Sequence, residues 1–177
     1  HGREHSFPTR RSSDLDGLTV TELLKPPQMR RLMREYPIPE PPESLVNAML
    51  GTAVHRLLAD FVVSGTVETR LFKEYRGIQI SGQPDVVYPD YIEDWKITSV
   101  NTNVPRPEWE KQLNLYNWLN DFKARYLLVT VIYKDWSPVG VNRENYPDEP
   151  VREIFFQPKP EHEVYDLLDT LLEERNE

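Results

Sequence analysis

Three runs rich in β-branched and aromatic residues, Val67 to Tyr75, Gln79 to Tyr88 and Tyr91 to Thr98, follow one another with only short turns between them. No other stretch restricts the fold as much, because strand-formers in close succession pair with one another. The Pro89-Asp90 junction between the second and third runs fits a tight antiparallel connection. Helical periodicity flanks the block on both sides. Upstream, Leu45, Ala48, Met49, Ala53, Leu57, Leu58 and Phe61 recur at helical spacing after Ser44. Downstream, a helix is expected from about Pro107 to Phe122, followed by an alternating strand from Tyr126 to Lys134. A polar loop (Asp135 to Pro150), a short edge strand (Arg152 to Gln157) and a last helix come next. That helix opens near Pro160 and carries the stripe Val164, Leu167, Leu168, Leu171 and Leu172. The order predicts an α/β fold: a mixed β-sheet core flanked by helices on both faces.

The N-terminal region is more broken. Between Gly17 and Tyr36, Thr19 or Thr21 can cap a helix, and Glu22 stands at capping-box spacing from Thr19. Pro26-Pro27 interrupts that helix, so a short turn, a break and a second segment through Arg34 are expected. Pro37 to Pro42 holds four prolines in six residues and reads as an extended connector. His5 to Leu15 spells HSFPTRRSSDL, which resembles the in-frame translation of a common sequencing adapter. On that reading residues 1–15 are non-native and disordered, and residues 16–177 form a single domain, a length sufficient for one core.

Composition narrows the chemistry. The absence of cysteine excludes disulfides, thiolate metal sites, iron–sulfur clusters and a cysteine nucleophile. Lys and Arg total 21 against 29 Asp and Glu, a net charge of −8, which speaks against loose coating of DNA. It is compatible with an acidic cluster that binds cations. No apolar run is long enough to span a bilayer and no secretory leader precedes the domain, so a cytoplasmic protein without membrane contact is expected.

The chemistry concentrates in Gly82 to Lys96, GQPDVVYPDYIEDWK. Asp94 and Lys96 are two apart on a strand and therefore project from one face. Asp85 begins the neighbouring strand of the hairpin, where pairing brings its carboxylate toward Asp94. Two carboxylates that close repel unless a cation lies between them, and oxygen ligands with open positions suit Mg²⁺ or Mn²⁺. A surface hairpin with a cross-strand Asp–Lys pair, worth under about 1 kcal/mol, explains the segment equally well in isolation. His55 lies inside what reads as a core helix, with Gly51 one turn earlier leaving room for a close approach on the same face. Gln112 and Tyr116, four apart, share a helical face and could bond a phosphate or stack on a terminal base; a partly wet helix edge is the plainer account.

Taken in order, Gly51-x-x-x-His55, Gly82-x-x-Asp85, Asp94-x-Lys96 and Gln112-x-x-x-Tyr116 resemble the motif series of the PD-(D/E)XK nuclease superfamily, in its RecB-type, phage-exonuclease-like branch. The resemblance spans about residues 17–134 and implies a restriction-endonuclease-like fold. It implies that His55 and Asp85 ligate a metal ion, with Asp94 and the backbone carbonyl of Trp95 completing the site. Asp85, Asp94 and Lys96 would be the catalytic set, and Gln112 and Tyr116 would grip DNA near the scissile phosphate. The cofactor would be Mg²⁺ or Mn²⁺, an imidazole ligand leaning toward Mn²⁺. Relatives with an iron–sulfur cluster bind it through cysteines, so this chain resembles the cluster-free subset. The opening segment GLTVTELLKPPQMRRL is similar to that of phage-type members.

The activity so implied is that of a metal-dependent DNA nuclease, an exonuclease of recombination, repair or phage DNA processing, with a helicase or single-strand annealing protein as a separate partner. Arg30, Arg31, Arg34 and Lys111 are candidate phosphate contacts, though a solvated charged face is the plainer account of each, and Glu74, whose strand alternation is ambiguous, stays outside the core set. Two other readings stay open. One is a non-catalytic DNA-binding or assembly module of the same fold. The other is a site-specific endonuclease whose 135–150 loop, flanked by Lys134 and holding Arg143, reads bases.

Overall fold

In the computed structural model, which describes residues 17–36, 41–102 and 105–176, the strand-rich block divides between two sheets. The chain opens with β1 (Gly17–Thr19), α1 (Val20–Leu23), α2 (Pro27–Glu35) and α3 (Pro42–Ala59). Then come β2 (Thr66–Val67), β3 (Leu71–Tyr75), β4 (Ile78–Gly82), β5 (Val86–Val87) and β6 (Tyr91–Thr98). It closes with α4 (Pro107–Leu119), β7 (Tyr126–Tyr133), β8 (Val151–Phe156) and α5 (Glu161–Asn176). One sheet has the order β1-β4-β3 and the other β2-β5-β6-β7-β8; each mixes parallel and antiparallel pairs. The α/β class with mixed strands is the expected one.

Two local features make the split. Pro84 cannot donate to a ladder, so the run from Gln79 to Tyr88 breaks after Gly82 and resumes in the other sheet at Val86. Glu68 adopts φ 48°, a left-handed conformation that interrupts the run from Val67 to Tyr75. The strand β1 was not legible as a strand; three residues suffice because they pair in parallel with Gln79, Ile80 and Ser81.

Between the sheets lies α4. It packs on β6 and β7 from one side and on β3 and β4 from the other, and touches α1 and α5. Hence Leu113, Leu115, Trp118 and Leu119 are all buried although no single helical stripe contains them. The helix stops at Leu119 rather than Phe122, since Asp121 and Phe122 both take positive φ. Asn117 fixes that turn: its carbonyl oxygens accept from Phe122 N and, through the side chain, from Ala124 N.

At the N-terminus Thr19 and Glu22 form both halves of a capping box. The backbone hydrogen bond from Thr19 holds the Glu22 carboxyl below its ordinary range, against a smaller opposing effect of burial. A depressed folded-state value gives stabilisation that is complete above the unfolded carboxylate range and is lost as pH falls through the folded value. Glu22→Gln should therefore flatten the acid limb of a thermal-stability profile without shifting its neutral plateau by more than about 1 kcal/mol.

The helix α3 differs from expectation. It is not a core helix: Met49 is 71% exposed and Phe61, just beyond its end, 74%, and it makes no extensive contact with any other element. It begins at Pro42, which sits at the first helical position, rather than at Ser44. Polar contacts tie it to the body: Lys134 donates to Asn47 at 2.7 Å, and His55 meets Asp85. Residues 1–16 and 37–40, which hold the adapter-like segment and most of the expected proline connector, lie outside the described residues. Among the described residues no helix is long and apolar enough to cross a membrane.

Candidate active site

Register places the two aspartates. In the antiparallel β5–β6 ladder Val86 pairs with Glu93 and Val87 with Ile92, so Asp85, one residue before Val86, stands level with Asp94. Asp85 is held from two sides. Its Oδ2 accepts a 2.7 Å hydrogen bond from the Trp95 amide, and its Oδ1 lies 3.0 Å from His55 Nδ1. His55 reaches it from α3 and meets the Trp95 ring edge to face, centroids 5.7 Å apart. The hydrogen bond to Asp85 is the largest cause of a raised His55 pKa; burial opposes it, and the charges of Asp85 and Asp94 add to it.

Asp94 and Lys96 share the opposite face of β6 from Trp95. The Lys96 ammonium pairs with Asp94 Oδ2 at 2.5 Å, and among the described residues this buried oxygen has no further hydrogen-bond partner. Asp94 is 4% exposed, and burial, with a contribution from Asp85, raises its pKa while Lys96 and His55 lower it. Lys96 donates to Gln112 Oε1 at 2.8 Å, and Gln112 Nε2 donates to the Tyr116 hydroxyl at 2.8 Å. Tyr116 also contacts the side chain of Thr21 on α1; burial first, then the Asp94 charge, pushes its phenol up to about 12.

Each sequence-derived site residue therefore falls in one of two adjoining groups. His55, Asp85 and Trp95 form one; Asp94, Lys96, Gln112 and Tyr116 form the other. Among the described residues no three His, Asp or Glu side chains stand together as an assembled metal cage. The acids face their own partners instead, Asp85 toward His55 and Asp94 toward Lys96. The donor set still fits a divalent cation: two carboxylates on neighbouring strands, an imidazole, and a buried carboxylate oxygen that among the described residues meets only the Lys96 ammonium.

The Gln112–Tyr116 pair is not a wet helix edge. Tyr116 is 3% exposed, so its ring offers no free face for stacking on a base, and the half-buried Gln112 amide is what remains for a phosphate. Other expectations resolve differently. A Cβ at Gly51 would meet nothing within 4 Å, so no close approach exists there among the described residues. At Gly82 it would lie 2.7 Å from atoms of both Tyr116 and Leu119. Those side chains are buried and cannot simply swing aside. Gly82→Ala should cost about 1–3 kcal/mol in urea unfolding and displace Tyr116 from Gln112. Glu74 shares the exposed face of β3 with Phe72, away from Lys73 and the core, and so does not join the site. Arg31 pairs with Glu35 at 2.9 Å, and Lys111 is exposed beside Gln112. Sequence reasoning missed Glu93 and Thr21; Glu93 carried a signal, as an acid two residues from a tryptophan on a half-buried strand.

No family model and no curated protein sequence matches the chain. Solved structures do. SSO0001 superposes with a TM-score of 0.65 at 18% identity, covering 94% of this chain and 80% of that one. An alkaline exonuclease, LHK-Exo, from Laribacter hongkongensis gives 0.54 at 14% identity, covering 92% and 91%. At such identities the likeness is one of fold alone: the chain's two mixed sheets with α4 between them form a restriction-endonuclease-like α/β architecture.

Proposed function

We propose that this chain is a metal-dependent deoxyribonuclease that hydrolyses phosphodiester bonds from DNA ends. The observation that carries the reading is the Asp94 carboxylate. It is buried, one of its oxygens has no partner among the described residues besides the Lys96 ammonium, and a second carboxylate stands level with it. Lys96 offsets part of the cost of burying this carboxylate beside a second one, and a divalent cation would offset the rest. The fold shared with an alkaline exonuclease supports the same reading.

His55, Asp85, Asp94 and the backbone carbonyl of Trp95 would hold the ion, Mg²⁺ or Mn²⁺, with the imidazole favouring Mn²⁺. Such an ion supplies Lewis acidity toward a phosphodiester and acidifies water. The remaining work belongs to the chain. Lys96 exchanges Asp94 for the substrate and holds its ammonium where negative charge grows on the phosphoryl oxygens. Gln112 keeps that ammonium aimed by accepting a hydrogen bond from it, and Tyr116 fixes the Gln112 amide in turn. Gln112, half-buried beside Lys96, would also contact a phosphate. DNA is the substrate, and a separate helicase or single-strand annealing protein is the class of partner such an enzyme would serve in recombination, repair or phage DNA processing.

Digestion of end-labelled linear DNA and closed circular DNA, each with Mg²⁺, Mn²⁺ or EDTA, tests the proposal. Linear substrate should shorten progressively with either metal, and circular substrate should persist. Cleavage in EDTA, or equal cutting of the circle, defeats it.

A further inference from the structure

Trp95 touches both partners on the His55 side of the site. Its amide donates to Asp85 and its ring braces His55. Its placement is consequently the placement of two proposed ligands, and of its own carbonyl as a third. Strand alternation puts the Trp95 side chain on the face of β6 opposite to Asp94 and Lys96. What fixes Trp95 must therefore act from behind the sheet.

On that far face Glu93 does this. Its Oε1 accepts from the Trp95 indole N–H at 2.9 Å and from the Thr130 hydroxyl at 2.6 Å. Thr130 is the direct cross-strand partner of Trp95 in the parallel β6–β7 ladder, so donor, acceptor and brace occupy three adjoining positions of one sheet face. An indole 5% exposed could pack in more than one orientation if held by apolar contact alone. A directional bond to a carboxylate that is itself tethered selects one orientation. An acid on a half-buried strand face is otherwise an unfavourable choice, and here its oxygen is engaged by two donors.

We propose that Glu93 is a positioning residue of this site, locking Trp95 from the far face of the sheet so that the Trp95 amide and ring hold Asp85 and His55 in place. Glu93 touches neither substrate nor metal. The inference rests on the nuclease reading where it concerns metal affinity, and on geometry alone where it concerns His55.

Two readouts separate those layers. In metal-free protein, the His55 ring protons should carry a ring-current displacement from Trp95, assigned by its loss in His55→Gln. Glu93→Ala should collapse that displacement, and Glu93→Gln, which keeps a carbonyl acceptor for both donors, should restore it. In calorimetry, Glu93→Ala should weaken Mn²⁺ binding by about 10–100-fold, with Glu93→Gln within about threefold of the parent. Thermal unfolding confirms that each variant is folded. If Glu93→Ala proves too unstable, Thr130→Val, isosteric and lacking one tether, should still weaken Mn²⁺ binding by about tenfold. A folded Glu93→Ala or Thr130→Val protein with parental His55 shifts and parental Mn²⁺ affinity overturns the proposal. A parent that binds no Mn²⁺ overturns the nuclease reading instead, and the His55 shifts then decide whether the lock exists.

Discussion

Asp94→Asn is expected to lower metal-dependent cleavage of linear DNA by at least about 10³-fold while leaving the protein folded. The change keeps the shape of the side chain and removes the charge that a divalent ion needs. In stability it should be mild or even favourable. The native carboxylate is buried, its pKa is raised by that burial, and the Lys96 contact, with a smaller contribution from His55, offsets part of the cost. Asparagine removes the buried charge and leaves Lys96 bonded to Gln112. Lys96→Ala should lose activity to a similar degree but behave differently in stability, because it strands Asp94 without its cation partner. A pair of urea titrations beside the cleavage assays distinguishes the two. Parental cleavage in either variant would end the proposed chemistry.

Trp118→Ala should destabilise the protein by about 3–5 kcal/mol, the largest stability effect expected from a single truncation here. Trp118 is 1% exposed on the helix that lies between the two sheets. Its ring meets Tyr75 edge to face at 6.1 Å and lies 5.4 Å below the Lys73 ammonium. Lys73 in turn donates to the Trp118 carbonyl and to Asp121, so the truncation opens a cavity and loosens the contact between β3 and the end of α4. Trp118→Phe should be far milder. Among the described residues the indole N–H has no hydrogen-bond partner, so phenylalanine keeps most of the ring and removes an unsatisfied donor. Equilibrium unfolding of both variants gives the comparison. Equal losses would show that the nitrogen is satisfied after all.

Much of the site was readable without coordinates, for a definite reason. Asp94 and Lys96 are two apart on a strand whose bounds, Tyr91–Thr98, follow from its own residues. Gln112 and Tyr116 are four apart on a helix. Spacing within one element fixes which side chains share a face, and local propensity fixes the element. The capping box at Thr19 and Glu22 was legible for the same reason.

Errors arose where the answer depended on distant parts of the chain. Helical periodicity in α3 looks like a core helix, but periodicity reports which residues share a face and not whether anything covers that face. The run from Gln79 to Tyr88 has uniform strand propensity, yet its two ends join different sheets once Pro84 breaks the ladder.

The amino-acid order by itself determined most of the helices and the long strands, the shared faces of Asp94 with Lys96 and of Gln112 with Tyr116, and the exclusion of thiolate chemistry, since these follow from backbone geometry and residue type over a few positions. Only the tertiary structure decided that α4 is enclosed by two sheets, that Tyr116 is sealed inside, and that Glu93 stands behind Trp95. Burial and long-range hydrogen bonding depend on which surfaces meet, and that choice is made by the sum of all contacts at once rather than by any local stretch.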